Sequence, residues 1–143
     1  MKETRTPRGC VERRAEVMIS RRARPVHAVV ARIAGNLAGI EILRLVKVSP
    51  GFLSASSATH GARRCPVTNP GHPAAVGVSL IVDVEHKEIQ FYEITSAVKG
   101  YGTRMVESVM GALPKGWRAV VAMDWSEGFW EVMRKRHKRI MIL

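Results

Sequence analysis

The sequence of 143 residues contains only two cysteines, Cys10 and Cys65, and both lie in polar, irregular stretches. Two cysteines form neither a disulfide framework nor a zinc site of the usual composition. The five histidines are scattered without the spacing of metal ligands, so the sequence predicts no metal site. The low cysteine content also favours a reducing, cytoplasmic environment.

Long apolar runs are missing as well. No stretch approaches the roughly 20 consecutive apolar residues that a membrane-spanning helix needs. The positive charge near the start is not followed by a continuous apolar segment, which argues against a secretory signal. Acidic residues in the same region (Glu3, Glu12 and Glu16) argue against an organelle transit peptide. We therefore expect a protein that does not enter a membrane.

Acidic residues are few relative to basic ones, with 12 Asp and Glu against 23 Lys and Arg, and the formal net charge is +11. Such a charge attracts polyanions, including nucleic acids and nucleotide phosphates, without identifying the partner. Basic residues crowd the first 25 positions and residues 134–139. Residues 1–25 have few large apolar side chains and are predicted to form a flexible basic arm, followed by one domain at 26–143.

The first part of that domain allows two interpretations. Apolar residues between 26 and 48 recur at steps of three and four, which suits an amphipathic helix, whereas residues 40–48 alternate as a strand does. Residues 49–75 are rich in proline, glycine and small polar residues, and they predict a long loop.

The second part has a clearer pattern. Two β-branched runs, 76–84 and 88–95, are separated by a polar turn and predict a hairpin. A glycine-rich turn then leads into a helix with one apolar face, formed by Met105, Val106, Val109, Met110 and Leu113.

After this helix, residues 117–123 are almost wholly apolar and predict a buried strand. A further helix follows, with Asp124 or Ser126 as its capping residue, and residues 140–143 suit a last short strand. Strands that alternate with helices predict an α/β fold with at least one parallel crossover.

The segment Lys99-Gly100-Tyr101-Gly102-Thr103-Arg104 forms the glycine turn. The first N–H groups of a helix lack intrahelical acceptors, and the helix dipole adds partial positive charge there. Glycines at 100 and 102 would let an anion approach the backbone, and Lys99 and Arg104 add cations. The turn lacks the Gly-Lys-Ser/Thr of a Walker loop and the complete dinucleotide fingerprint, so it predicts a phosphate site of another kind.

The segment from Ile94 to Met105 resembles the coenzyme A motif of the GNAT (N-acetyltransferase) superfamily, with its nearest resemblance to the histone acetyltransferase branch. In that family the motif Arg/Gln-x-x-Gly-x-Gly/Ala holds the pyrophosphate, and acetyl-CoA lies where the central strands splay apart. The resemblance covers about residues 76–143, roughly half of the chain. It implies a mixed central sheet with splayed central strands and flanking helices.

The resemblance also assigns the coenzyme contacts. Backbone donors would come from the glycine turn and the residue before it, while Ile94 and Thr95 would border the acetyl and pantetheine end. Trp130 would lie in the helix that flanks the coenzyme. The predicted coenzyme-binding residues are Ile94, Thr95, Val98, Lys99, Gly100, Tyr101, Gly102, Thr103, Arg104 and Trp130.

Acetyl transfer to an amine needs a base that removes the proton of the nucleophile. Glu88 is the first candidate, because Glu88-Ile89-Gln90-Phe91 is similar to the strand that carries the general base in histone acetyltransferases. Glu93, nearer the expected splay, is the second. The chain departs from the family pattern at Ala97, where the motif has Arg or Gln, and at Trp130, where many members have a tyrosine that acts as an acid.

The expected function is therefore that of an N-acetyltransferase, which uses acetyl-CoA as cosubstrate and acts on a small-molecule or peptide amine. The alternative is an inactive module of the same fold that binds coenzyme A or, through its basic charge, nucleic acid. A third interpretation is a domain that binds a partner, including a second copy of itself, through an exposed sheet edge near residue 140.

Overall fold

A computed structural model describes residues 15–57, 76–96, 98–124 and 126–143. Its elements are β1 (Glu16–Ile19), a 3-10 turn (Arg21–Ala23), α1 (Ala28–Ala38), β2 (Leu45–Ser49), β3 (Phe52–Ser56), β4 (Val76–Asp83), β5 (Glu88–Ser96), α2 (Tyr101–Ala112), β6 (Arg118–Val121), α3 (Phe129–Arg136) and β7 (Ile140–Ile142). The protein has a mixed α/β fold, as predicted, in which the described strands form one seven-stranded sheet.

The strands are ordered in the sheet as they are in the chain, from β1 to β7. The pairs from β2 to β5 are antiparallel, whereas β1 is parallel to β2, and β5, β6 and β7 are parallel to one another. Parallel neighbours need a long crossover connection, usually a helix. Each of the three helices therefore lies in the connection between two parallel strands.

The hydrophobic core lies between one face of the sheet and the helices. Side chains on this face include Val46, Leu53 and Leu80, all of them fully buried. Helices α1 and α2 pack side by side on it, and Asn36 Nδ2 donates across their interface to the carbonyl of Ser108 at 2.9 Å. Helix α3 joins the same layer through Trp130. Side chains on a strand alternate between faces, so the opposite face carries exposed residues such as Lys47.

Both interpretations of residues 26–48 hold for part of the segment, because α1 covers 28–38 and β2 begins at Leu45. The predicted loop at 49–75 is wrong for Phe52–Ser56, which forms β3, and its residues 58–75 lie outside the described part. Strand β3 pairs with β2 on one side and β4 on the other, and Leu53 and Ala55 face the core. This long-range pairing outweighs the turn-rich composition around it.

The flexible arm predicted for residues 1–25 does not extend through residues 15–23, and residues 1–14 lie outside the described part. Strand β1 pairs with β2 from Glu16↔Leu45 to Ile19↔Val48, and the N–H of Ala15 donates to the carbonyl of Ala38 at 3.0 Å. The side chains of β1 are largely exposed. Backbone pairing places this strand in the sheet, and the composition of residues 15–23 does not predict a strand there.

The elements predicted for the second half are confirmed. Strands β4 and β5 form the hairpin, and all five residues of the predicted apolar face are buried, namely Met105, Val106, Val109 and Met110 in α2 and Leu113 directly after it. The Ser126 hydroxyl accepts from the N–H of Trp130 at 3.2 Å and so caps α3. None of the described helices combines the length and the hydropathy that crossing a membrane requires.

One residue of the basic run at 134–139 has a structural role. Arg139 donates to the carbonyls of Leu113 and Pro114 at 3.1 and 2.7 Å, and to that of Trp117 at 3.2 Å. These carbonyls follow the end of α2, where the backbone has no further helical donors. The guanidinium therefore ties the end of α2 to the start of β7.

Candidate functional site

Strands β5 and β6 are paired over a short distance only. Their register covers three residue pairs, from Glu88↔Arg118 to Gln90↔Val120, although β5 continues to Ser96. Beyond Gln90, the neighbour of β5 among the described strands is β4 alone. We call the opening between the second half of β5 and the residues after β6 the strand gap. It is compatible with the expected splay of the central strands.

Two cavities open at the strand gap. One of about 280 Å³ is lined by residues 91–95 of β5 together with Met123, Ser126 and Trp130. The other, of about 480 Å³, is lined by residues 90–93 with Ala122 and Met123. Ligand pockets commonly have volumes of about 300–1,000 Å³, so the gap has room for part of a small-molecule ligand.

An aromatic cluster forms one wall of the strand gap. Trp130 is only 4% exposed, and its ring centroid lies 4.9 Å from that of Phe91. Phe129 packs edge-on against Trp130 at 5.1 Å. Trp130, predicted to flank the coenzyme, thus lines the smaller cavity while belonging to the core.

The glycine turn leaves the start of α2 without a side-chain cap. Gly100 is the N-cap residue and has a left-handed conformation with φ of 95°, which glycine adopts at little cost. The N–H groups of Tyr101, Gly102 and Thr103 have no acceptor within the helix itself, and the N-cap residue offers them no side chain. These three donors at the positive end of a helix form a site suited to an anion.

The two glycines of the turn have different roles. An added Cβ at Gly100 would meet no atom within 4 Å, so the backbone there is open to a ligand. At Gly102 an added Cβ would lie 3.3 Å from the ring of Phe129. Gly100 therefore leaves open space at the turn, whereas Gly102 makes room for the packing of α3 on α2.

Glu41, in the connection between α1 and β2, contacts the start of α2. Arg104 binds its carboxylate with two hydrogen bonds of 2.6 and 2.8 Å, and the Tyr101 hydroxyl donates to Oε2 at 2.8 Å. The hydrogen bond from Arg104, assisted by a backbone N–H and by Tyr101, lowers the pKa of Glu41 from 4.5 to about 2. Sequence analysis missed Glu41, because its partners lie about 60 positions away and no local pattern connects them.

The two candidate bases occupy different places. Glu88, at the start of β5, accepts a hydrogen bond of 2.9 Å from Arg118 Nε and lines neither cavity of the gap. Glu93 lines both cavities. Five residues of strand separate the two by about 16 Å. The structure therefore brings Glu93, and not Glu88, to the strand gap.

The predicted coenzyme-binding residues other than Trp130 lie in the second half of β5, in the turn after it and at the start of α2. Ile94 and Thr95 line the smaller cavity. Val98, Lys99 and Gly100 follow in the exposed turn, and α2 begins directly after them. Ala97, which departs from the family motif, lies outside the described residues.

Within the described residues, no group of three or more His, Cys, Asp and Glu side chains could hold a metal ion. The chain was compared with protein-family models, with curated proteins and with solved structures. No match was found. The interpretation of the site depends on its geometry and on the residues that form it.

Proposed function

We propose that this protein binds acetyl-CoA at the strand gap and transfers the acetyl group to an amine, as GNAT-type N-acetyltransferases do. The observation that carries the proposal is the uncapped start of α2, with three backbone N–H groups that lack intrahelical acceptors, shortly after the strand that borders the gap. A diphosphate needs such donors, and a thioester arm needs an adjacent cleft.

In this proposal the pyrophosphate binds the N–H groups of Tyr101, Gly102 and Thr103. Lys99 is exposed in the same turn and supplies a cation that attracts the phosphates. The pantetheine arm then extends past Thr95 and Ile94 into the smaller cavity. The second half of β5 lacks a partner strand on its β6 side among the described residues, so its backbone can bind the amides of the arm.

Glu93 is the proposed general base. Glu93 lines both cavities, so an acetyl group in one and an amine in the other would each lie next to this residue. A general base must lie within hydrogen-bond reach of the proton that it removes. Glu88 is paired with Arg118 outside the gap, which makes it the weaker candidate.

Acetyl-CoA is expected to raise the melting temperature of the wild-type protein, because a ligand that binds the folded state stabilises it. Gly100→Ala is expected to weaken binding about tenfold or more, since a methyl group enters the open approach to the turn and the left-handed conformation becomes strained. Thermal unfolding with and without acetyl-CoA measures the first effect, and isothermal titration calorimetry with acetyl-CoA measures the second.

Gly116→Ala provides the matched control for this substitution. Gly116 also has a positive φ, 92°, and an added Cβ there would likewise meet no atom within 4 Å. The control is expected to lose similar stability and to keep wild-type affinity. No saturable effect of acetyl-CoA on the wild-type protein, or equal losses of affinity in both variants, would contradict the proposed binding mode.

Acetyl transfer is measured as release of free thiol with polyamines, amino acids and basic peptides as acceptors. Glu93→Gln is expected to lower kcat about 100-fold without loss of acetyl-CoA affinity, because removal of a general base slows the chemical step. Glu88→Gln is the control and is expected to keep its activity. The opposite pattern would reassign the base to Glu88.

One observation favours a second candidate, an inactive coenzyme A-binding protein. Trp130 stands where the family resemblance expects a tyrosine acid, and an indole N–H cannot protonate a departing thiolate as a phenol can. The same two experiments separate the candidates. Binding of acetyl-CoA without thiol release from any acceptor supports the inactive form.

A further inference from the structure

The contact between Glu41 and the start of α2 places a carboxylate beside the proposed phosphate site. Tyr101 and Arg104 are three positions apart in the first turns of the helix, so their side chains lie on the same face. Both bind Glu41, and the guanidinium also lies over the Tyr101 ring at 5.1 Å. Glu41, from the connection between α1 and β2, therefore binds the charged side chain of the first turn of α2.

This contact changes the charge available to a ligand. Arg104 and Glu41 form a neutral pair, so attraction of an anion depends on the N–H groups, the helix dipole and Lys99. The carboxylate itself repels an incoming anion. Coulomb repulsion grows with the charge of the ligand, so a multiply charged free phosphate is penalised more than a diphosphate diester.

The pair is exposed to solvent, with side-chain exposures of 45% for Arg104 and 50% for Glu41. Exposed ion pairs contribute little to stability, so the contact can be broken or rearranged without unfolding the protein. With its pKa lowered to about 2, Glu41 keeps its charge throughout the neutral range. Substitution is therefore the way to remove that charge.

We infer that Glu41 is a specificity-determining residue, which makes the site favour the diphosphate diester of a coenzyme over free polyphosphates such as pyrophosphate. The inference deepens the proposed function and rests on it, because it concerns the same N–H groups. Glu41 acts in two ways: it neutralises Arg104, and it places a negative charge beside the ligand.

Titration calorimetry with inorganic pyrophosphate and with acetyl-CoA tests the inference. Glu41→Gln is expected to bind pyrophosphate about fivefold more tightly than the wild type, because repulsion between two nearby like charges in water changes affinity by about that factor. Its gain in affinity for acetyl-CoA is expected to be smaller. Glu107→Gln is the matched control, since Glu107 also lies beside an arginine, Arg136, at 3.2 Å and is 47% exposed. It removes the same charge away from the helix start.

A double-mutant cycle adds a second readout. Arg104→Gln is expected to lower pyrophosphate affinity in the wild-type background, because it leaves the Glu41 carboxylate without its counter-charge, and to cancel much of the gain in the Glu41→Gln background. Unchanged or weaker pyrophosphate binding in Glu41→Gln, or an equal gain in Glu107→Gln, overturns the inference. The inference is also overturned if neither the wild type nor Glu41→Gln binds pyrophosphate.

The two titrations distinguish a failure of the proposed function from a failure of the role inferred for Glu41. If acetyl-CoA binds no variant while Glu41→Gln still gains affinity for pyrophosphate, the coenzyme assignment is wrong, and of the role of Glu41 only the repulsion of pyrophosphate stands. If acetyl-CoA binds normally and Glu41→Gln changes neither affinity, the role of Glu41 is wrong and the coenzyme assignment stands.

Discussion

Replacing Trp130 with alanine is expected to lower the free energy of unfolding by about 3–5 kcal/mol, the usual cost of deleting a large buried aromatic side chain. The ring is 4% exposed and packs against both Phe91 and Phe129. It therefore holds α3 against β5 at the strand gap. Its removal leaves a cavity that the surrounding strands cannot fully close, because β5 has no β6 partner at this position.

Urea denaturation measures this loss, and Val132→Ala is the control on the same helix. Val132 is 50% exposed, so its truncation is expected to cost less than about 1 kcal/mol. Equal costs for the two substitutions would show that Trp130 does not anchor α3. Loss of acetyl-CoA affinity in Trp130→Ala, measured under conditions where the variant is folded, would further link the cluster to the site.

The second large effect is expected on β4. Leu80→Ala is expected to cost about 2–5 kcal/mol, because Leu80 is fully buried between the sheet and the helices and pairs with Leu53 and Phe91 on the neighbouring strands. Ile81 is the next residue of the same strand and points to the opposite face, where it is 37% exposed. Ile81→Ala is expected to cost about 1 kcal/mol or less.

These neighbouring substitutions test which face of the sheet carries the core. Thermal and urea unfolding of both variants under the same conditions gives the comparison. A larger loss for Ile81→Ala than for Leu80→Ala would mean that β4 is turned over relative to the helices. It would also place the Glu93 side chain on the opposite side of the sheet, because Ser79 and Glu93 are cross-strand partners.

The sequence predicted the elements whose signals are local. Strands β4 and β5 are β-branched runs around a polar turn, and α2 combines a helical apolar face with a glycine start. Their pattern and their burial agree, and the predicted coenzyme-binding residues from Ile94 to Arg104 lie at the end of β5 and around the start of α2.

Features that depend on distant partners were not predicted. Strands β1 and β3 are short, and each is held in the sheet by pairing with neighbouring strands. The local composition does not predict this pairing. The ion pair of Glu41 with Arg104 spans 63 positions, and the packing of Phe129 on Gly102 joins two different helices. In each case the sequence shows a suitable residue, and only the fold shows what it contacts.

The strands follow the same order in the sheet as in the chain, and this order affects how the protein folds. Each inner strand of those described pairs with the strand before it and the strand after it in sequence, so no pairing skips over an intervening strand. Loop-closure entropy is lower for such nearby partners, which favours faster folding. During synthesis the sheet can grow by one strand at a time from β1 onward, and the strand gap is completed last, when α3 docks onto β5.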